Sequence, residues 1–430
     1  MFLKRVFCAG VCVYLTLPVW ADITPEYKKT PLSISTHTVQ KIDTSLQDFI
    51  RQVWAESPAM QGAQAAVNAA QARADGADRP LYNPGLGLDV ERTDINTTSI
   101  GLSQTLDWSD KREAQTRIAD QEMQAATAEL LETRQHIAVE TLDALTQYFT
   151  AREMWQLSLR RSELMKGFID TVKQRQDAGD MGALEGTLAQ VTYSEALMQQ
   201  AASESELAEA EAALQAVTGL ELDHWPQLPS ELIAPTDHVD PTLLQSLPAL
   251  SVLRSRMEAA KARVRLAKRE GRADPTIGIR AGREDSESLL GLSFEIPLFV
   301  RNNFKAEVQA ASHEAAGEEQ AYRDALRRAK ARLDGSLGRF QSTTRAWSAW
   351  VAAGQQAHRQ QMNLLEQMWQ AGELTATDYL IQAKQNIDTQ AAATTLMGEV
   401  WQAAITWLDA SGQVEHWLGL APAQTKRSGE

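Results

Sequence analysis

The chain repeats itself, and that repeat limits the folds open to it more than any other feature. Ser57-Pro58-Ala59 returns as Leu247-Pro248-Ala249, Ala72-Arg73 as Ala262-Arg263, and Gly101-Leu102-Ser103 as Gly291-Leu292-Ser293, each 190 residues later. Asn83-Pro84 returns as Asp274-Pro275 at an offset of 191. Ala178-Gly179-Asp180 and Thr218-Gly219 return as Ala371-Gly372-Glu373 and Ser411-Gly412 at 193. Six matches in one order, drifting by three residues, divide the chain into two copies of one unit. The copies span 46–220 and 244–412, joined by a connector, 221–243, that holds four prolines. Whatever one copy builds, the other builds too.

Each copy runs through the same elements. An Ala-rich stretch in which Gly and Pro are almost absent comes first, Leu46–Asp78 and then Leu244–Arg272, and reads as helix. A region of period 2 follows, predicting a β-hairpin over 84–107 and another over 275–297. A stretch without proline then predicts one very long helix, 110–176 and 302–370. A helix of that length is ~100 Å long, far more than a globular core needs. Each ends at Ala-Gly and is followed by a shorter helix, 184–217 and 374–409. Two short helices laid end to end match one long one, so each unit is expected to be a rod with its hairpin at one end and its Ala-Gly turn at the other. Leu130 and Ile137, and Leu142 and Phe149, lie seven apart, the spacing of a coiled-coil seam.

The hairpins carry the functional argument. Leu86, Leu88, Val90, Ile100 and Leu102 alternate with small or charged residues, as do Ile277, Ile279, Leu290, Leu292, Phe294 and Ile296. Strands of this length cross a bilayer when tilted, one face toward lipid and the other toward water. Tyr82, Trp108 and Phe299 flank them, where aromatics suit a membrane interface. The same alternation also suits a hairpin packed on a soluble core. If the strands do span a membrane, one chain supplies only four, whereas membrane barrels need about eight or more and tolerate no open edge in lipid. Three chains would give twelve.

The first 21 residues carry Lys4 and Arg5, an apolar run from Val6 to Trp20, and Ala21 before Asp22, the pattern of a secretory signal. Both cysteines, Cys8 and Cys12, lie inside it, so the exported chain is expected to be cysteine-free. No convincing lipobox precedes either cysteine, so no lipid anchor is expected. The segment 22–45 reads as extended, and the tail 413–430 as polar without a clear pattern. No later run is long and apolar enough for a transmembrane helix. A formal net charge of −14 leaves no basic face for nucleic acid. The seven histidines are scattered without a pair at metal-ligand spacing, and no P-loop or nucleophile elbow is present. No catalytic, cofactor-binding or metal-binding residue is therefore assigned.

Gly101-Leu102-Ser103-Gln104-Thr105-Leu106 followed by Lys111-Arg112 resembles the outer membrane efflux protein (TolC) family. So do Gly291-Leu292-Ser293-Phe294-Glu295-Ile296-Pro297-Leu298-Phe299 followed by Arg301-Asn302-Asn303, the Asn83-Pro84 pair, and Ala376-Thr377-Asp378-Tyr379-Leu380. The strand ends and Arg301-Asn302-Asn303 are most similar to members serving heavy-metal efflux of the cobalt–zinc–cadmium or copper–silver type. The first copy departs from that pattern, with Asp107-Trp108-Ser109-Asp110 where relatives carry a Gly-Gly turn. The resemblance implies a mainly α fold with a small β part. A homotrimer would form a 12-stranded outer membrane β-barrel on a long periplasmic α-helical barrel.

The resemblance also implies a passive outer membrane channel of a tripartite efflux system in a Gram-negative bacterium. Its partners would be a periplasmic adaptor protein, an inner membrane pump of the resistance–nodulation–division (RND) type and outer membrane lipid. The adaptor would be met by Ala178, Gly179, Asp180, Met181, Gly182 and Glu185 in the first copy, and by Ala371, Gly372, Leu374 and Thr375 in the second. Asp378 and Glu373 would form the periplasmic gate, three copies of Asp378 ringing the axis. An acidic residue at a helix start also serves as a cap. Two other readings stay open at this point: the outer membrane component of type I protein secretion, and a periplasmic coiled-coil scaffold without a pore.

Overall fold

The computed structural model describes residues 33–35, 44–236, 238 and 240–421. The expected leader, most of the segment before residue 45, and residues 422–430 lie outside the described residues. The order of elements is β1 (Ser33–Ser35), α1 (Thr44–Glu56), α2 (Pro58–Ala77), β2 (Gly85–Arg92), β3 (Asn96–Thr105), α3 (Lys111–Asp177), α4 (Ala183–Thr218) and β4 (Glu231–Ile233). A 3₁₀ turn at Pro241–Ser246 leads to α5 (Pro248–Glu270), β5 (Thr276–Glu284), β6 (Glu287–Glu295) and α6 (Lys305–Ala349). A π turn (Trp350–Gly354), α7 (Gln355–Gln370), α8 (Ala376–Ser411) and α9 (Val414–Trp417) complete the chain.

Three local expectations need correction. The Leu46–Asp78 stretch is two helices, because Ser57 caps α2 by accepting from the Met60 N–H and Pro58 takes the first helical position. In the second copy a 3₁₀ turn precedes α5, where Pro248 again takes the first helical position but Leu247 offers no side-chain cap. The second long helix is not uniformly wound: it opens into a π turn at Trp350–Gly354, whereas α3 runs 67 residues without a break. A Cβ at Gly354 would fall 2.3 Å from the Trp350 ring, so the ring occupies the space a larger residue would need. The tail after Gly412 is also more ordered than its sequence indicates, since Val414, Trp417, Leu418 and Leu420 are buried.

The core sits partway along the rod. α1 presents Leu46, Phe49, Ile50, Val53 and Trp54, a five-residue apolar face at helical spacing. That face joins Leu142 and Leu145 of α3, Leu214 of α4, Leu333 and Phe340 of α6, Ile405 and Leu408 of α8, and Trp225 and Leu232 from the connector. The short parallel pair β1–β4 ties the N-terminal segment to that connector. Away from this belt the helices lie side by side. α3 packs against α2 and α5 toward the sheet and against α4 and α8 toward the other end, while α6 packs against α5 and α8. Buried alanines such as Ala125, Ala128, Ala259 and Ala262 allow the close approach.

A second sheet, in the order β2-β3-β5-β6, is antiparallel throughout. The two hairpins therefore join through β3 and β5, one strand from each copy. A polar lock fixes this sheet to the helices. The Lys111 Nζ lies 2.8 Å from Asp274 Oδ2, and the Tyr82 hydroxyl donates to the same oxygen at 2.9 Å. Lys111 also donates to the Arg272 carbonyl at 3.0 Å. Asp274 is 5% exposed. Burial pushes its carboxyl up, but the Lys111 ammonium and the Tyr82 hydroxyl more than offset this, and it titrates below the usual carboxylate range. The Tyr82 phenol, buried beside that carboxylate, is pushed up to about 12.

Candidate functional site

Two surfaces are the candidates for function, the four-stranded sheet and the opposite helix tips. The register of the sheet sorts its residues by face. Leu86, Leu102, Ile279 and Leu292 form one row across the four strands, and Leu88, Ile100, Ala281 and Leu290 form the next. Ile277 and Phe294 stand beside Gln104 in a third row, and Val90 beside Thr98 in a fourth. Ile296 shares the apolar character but falls just outside β6, where Pro297 supplies no donor for a further ladder bond. Among the described residues nothing covers this face: Leu290 is 83% exposed, Leu292 85% and Leu86 76%. Trp108, Leu298 and Val300 extend the exposed apolar surface beyond the strand ends. Alternation does not single out Leu298 and Val300, which follow Pro297 outside the period-2 segment.

The other face is small, polar or charged apart from Leu289. Its rows read Gly87, Gly101, Arg280 and Gly291, then Asp89, Ser99, Gly282 and Leu289, then Glu91, Thr97, Glu284 and Glu287. Such a face suits water. The outer edges of β2 and β6 have no strand partner among the described residues. An apolar face of this size cannot stay in water and an unpaired edge cannot stay in lipid, so the sheet is complete only when other strands join it.

At the far end, each long helix closes on a glycine in the left-handed region, Gly179 with φ +86° and Gly372 with φ +75°. The Asp180 N–H donates to the Arg175 carbonyl at 2.8 Å and the Glu373 N–H to Met368 at 2.9 Å, the same terminating loop in both copies. The next helices start differently. Gly182 precedes α4 without a side-chain cap. Thr375 caps α8, accepting from the Asp378 N–H at 3.1 Å and donating to its Oδ2 at 2.7 Å. Asp378 and Glu373 are exposed.

Behind the second tip lies an aromatic clamp. Tyr379 stacks on Trp369 at 4.8 Å and lies 5.8 Å from Phe168 of the other copy. The Tyr379 hydroxyl donates to Glu366 at 3.2 Å. Burial first, and then the Glu366 carboxylate beside it, raises the Tyr379 phenol well above its ordinary value. Arg175 lies over the Trp369 ring at 4.6 Å and donates to its carbonyl at 3.3 Å. In the first copy Gly186 stands where Tyr379 does, 193 residues earlier, and the Gln176 side chain fills the space a Cβ there would take.

Residues 49–220 match the family model described as outer membrane efflux protein. The cobalt-zinc-cadmium resistance protein of Cupriavidus metallidurans is 22% identical over 340 residues, covering 76% of this chain and 80% of that protein. The outer membrane channel OprN shares the fold at a TM-score of 0.73 and 16% identity, covering 89% of this chain and 94% of its own. The open state of the MtrE outer membrane channel of Neisseria gonorrhoeae matches at 0.73 and 14% identity, covering 90% and 97%. The family read from the sequence is thus the one whose model matches residues 49–220, and the fold of the chain is that of the solved outer membrane channels.

Proposed function

Because the chain carries an outer membrane efflux protein domain over residues 49–220, we propose that it is the outer membrane duct of a tripartite system exporting heavy-metal cations. The observation that carries this reading is the sheet, with an uncovered apolar face, a polar face opposite and two open edges. A periplasmic scaffold without a pore would have no use for such a surface. The heavy-metal substrate is supported by the likeness to the cobalt-zinc-cadmium resistance protein. The duct itself has no energy source to offer, so a pump in the inner membrane supplies the drive and an adaptor bridges the two.

The tips are the proposed periplasmic end. There Ala178, Gly179, Asp180, Met181, Gly182 and Glu185, with Ala371, Gly372, Leu374 and Thr375, would meet the adaptor. Asp378 and Glu373 stand exposed at the start of α8 and just before it. In a trimer three Asp378 carboxylates around the axis would hold cations and repel anions. Each is already held in place by its Thr375 hydroxyl.

The test is electrical and cellular. The purified protein should conduct in planar bilayers, with a block by divalent cations that Asp378→Ala relieves. A strain lacking the gene should become sensitive to cobalt, zinc or cadmium. Conductance without relief by Asp378→Ala removes the gate assignment, and unchanged metal tolerance removes the substrate.

A further inference from the structure

The internal repeat makes the contact between copies inside one chain a template for the contact between chains. Within the chain, β3 of the first copy pairs with β5 of the second, Thr105 opposite Thr276 and Thr97 opposite Glu284. The unpaired edges are the equivalents of those strands: β6 stands to the second copy as β3 does to the first, and β2 stands to the first as β5 does to the second. Carrying the internal pairing across needs one choice, the alignment of β2 with β5. The X-Pro steps that open both strands, Asn83-Pro84 and Asp274-Pro275, give an offset of 191. The hairpin registers allow an alternative two residues away, because the first hairpin turns through residues 93–95 and the second through 285–286 only.

Two observations favour the proline alignment. The first is apolar matching. It sets Phe294 opposite Leu86, Leu292 opposite Leu88 and Leu290 opposite Val90 of the next chain, three apolar pairs continuing the lipid-facing rows. The alternative leaves Val90 opposite Ser288. The second is charge. Arg280 pairs with Gly291, and its side chain runs across that glycine toward the open edge: a Cβ at Gly291 would fall 2.8 Å from its Nε and 3.0 Å from its Cγ. Arg280 makes no ion pair among the described residues, and neither does Asp89 on the same face of β2, the other open edge. The proline alignment sets Asp89 of the next chain directly opposite Gly291. Arg280 is then two strand spacings from it, about 10 Å between backbones, within the joint reach of the two side chains.

We propose that neighbouring chains join β6 to β2 in the register that sets Gly291 opposite Asp89 and Ser293 opposite Gly87, with Arg280 of one chain ion-paired to Asp89 of the next on the water-facing side of the barrel. The partner is a second copy of this chain, and the proposal rests on the channel reading above. The pair occurs at every junction between chains and reads the register, since a slip of two residues places Gly87 where the carboxylate should stand.

The test uses the full chain in outer membranes, with Cys8 and Cys12 replaced. Ser293→Cys with Gly87→Cys should give oxidant-dependent covalent oligomers several-fold more abundantly than Ser293→Cys with Gly85→Cys, the pair the slipped register favours. Gly87 has open space for a side chain. In parallel, Arg280→Asp should lower the temperature at which the oligomer dissociates in mild detergent, and Arg280→Asp with Asp89→Arg should restore it. Preferential crosslinking of the Gly85 pair, or no rescue by the charge exchange, overturns the register. Absence of any oligomer in the parent protein overturns instead the channel reading on which it rests.

Discussion

The equatorial core and the four-stranded sheet use the same aliphatic residues in opposite ways. Leu142, Leu145, Leu333 and Ile405 are 0% exposed in the core, while Leu290 and Leu292 are over 80% exposed in the sheet. In the core, apolar residues recur at helical spacing and meet other helices of the same chain. In the sheet they recur at every second residue, and among the described residues only their row neighbours in the sheet meet them. The difference is one of solvent. The core is built against water, and on the channel reading proposed above the sheet faces lipid on one side and water on the other.

The largest effect should come from changing that solvent match in the sheet. Leu292→Arg places a charge against the hydrocarbon, at ~2–4 kcal/mol per chain near the midplane, felt at every chain of the barrel. Detergent-resistant oligomers should disappear from the outer membrane fraction while the far-ultraviolet circular dichroism stays helical. Ser293→Arg, one residue on and facing water, should leave the oligomers in place. Equal effects from the two would erase the distinction between the faces.

In the core the rule is cavity formation. Leu145→Ala should cost ~2–5 kcal/mol, seen as an earlier denaturant midpoint for the helical signal, and insertion of the sheet should persist in native membranes. A smaller effect is expected where the two regions meet. Asp274→Asn removes the carboxylate that Lys111 and Tyr82 share and should cost ~1.5–3 kcal/mol, the range of a hydrogen bond to a charged group. Its pH dependence has a definite sign. A carboxyl lowered in the folded state contributes stability above its unfolded value, ~3.9, and loses it as pH falls through the folded value. The lock should therefore hold at pH 5 and weaken only in stronger acid, and the Asn variant should lack that acid limb in a thermal melt followed against pH.

The sequence was legible where the signal was local. Alternation exposed the strands, and alanine without proline exposed the long helices. The glycines at 179 and 372 marked the tips, since both take a backbone conformation that side chains resist. What stayed hidden was non-local or depended on filling space. The Tyr82–Asp274 bond joins residues 192 apart, and no periodicity announces it. The π turn at Trp350–Gly354 breaks no rule of composition and depends on how Trp350 lies over Gly354. The clamp of Trp369 and Tyr379 escaped the reading by repeats because its first-copy equivalents, Gln176 and Gly186, are unlike it. The break at Ser57-Pro58, by contrast, had its cap signature in plain sight.

The most direct test of the account is the native mass of the full-length protein extracted from outer membranes. The expected result is a particle of three chains that holds together only with detergent or lipid present, because the sheets complete one another and their apolar faces need a cover. A single chain that stays dispersed in plain buffer would contradict it.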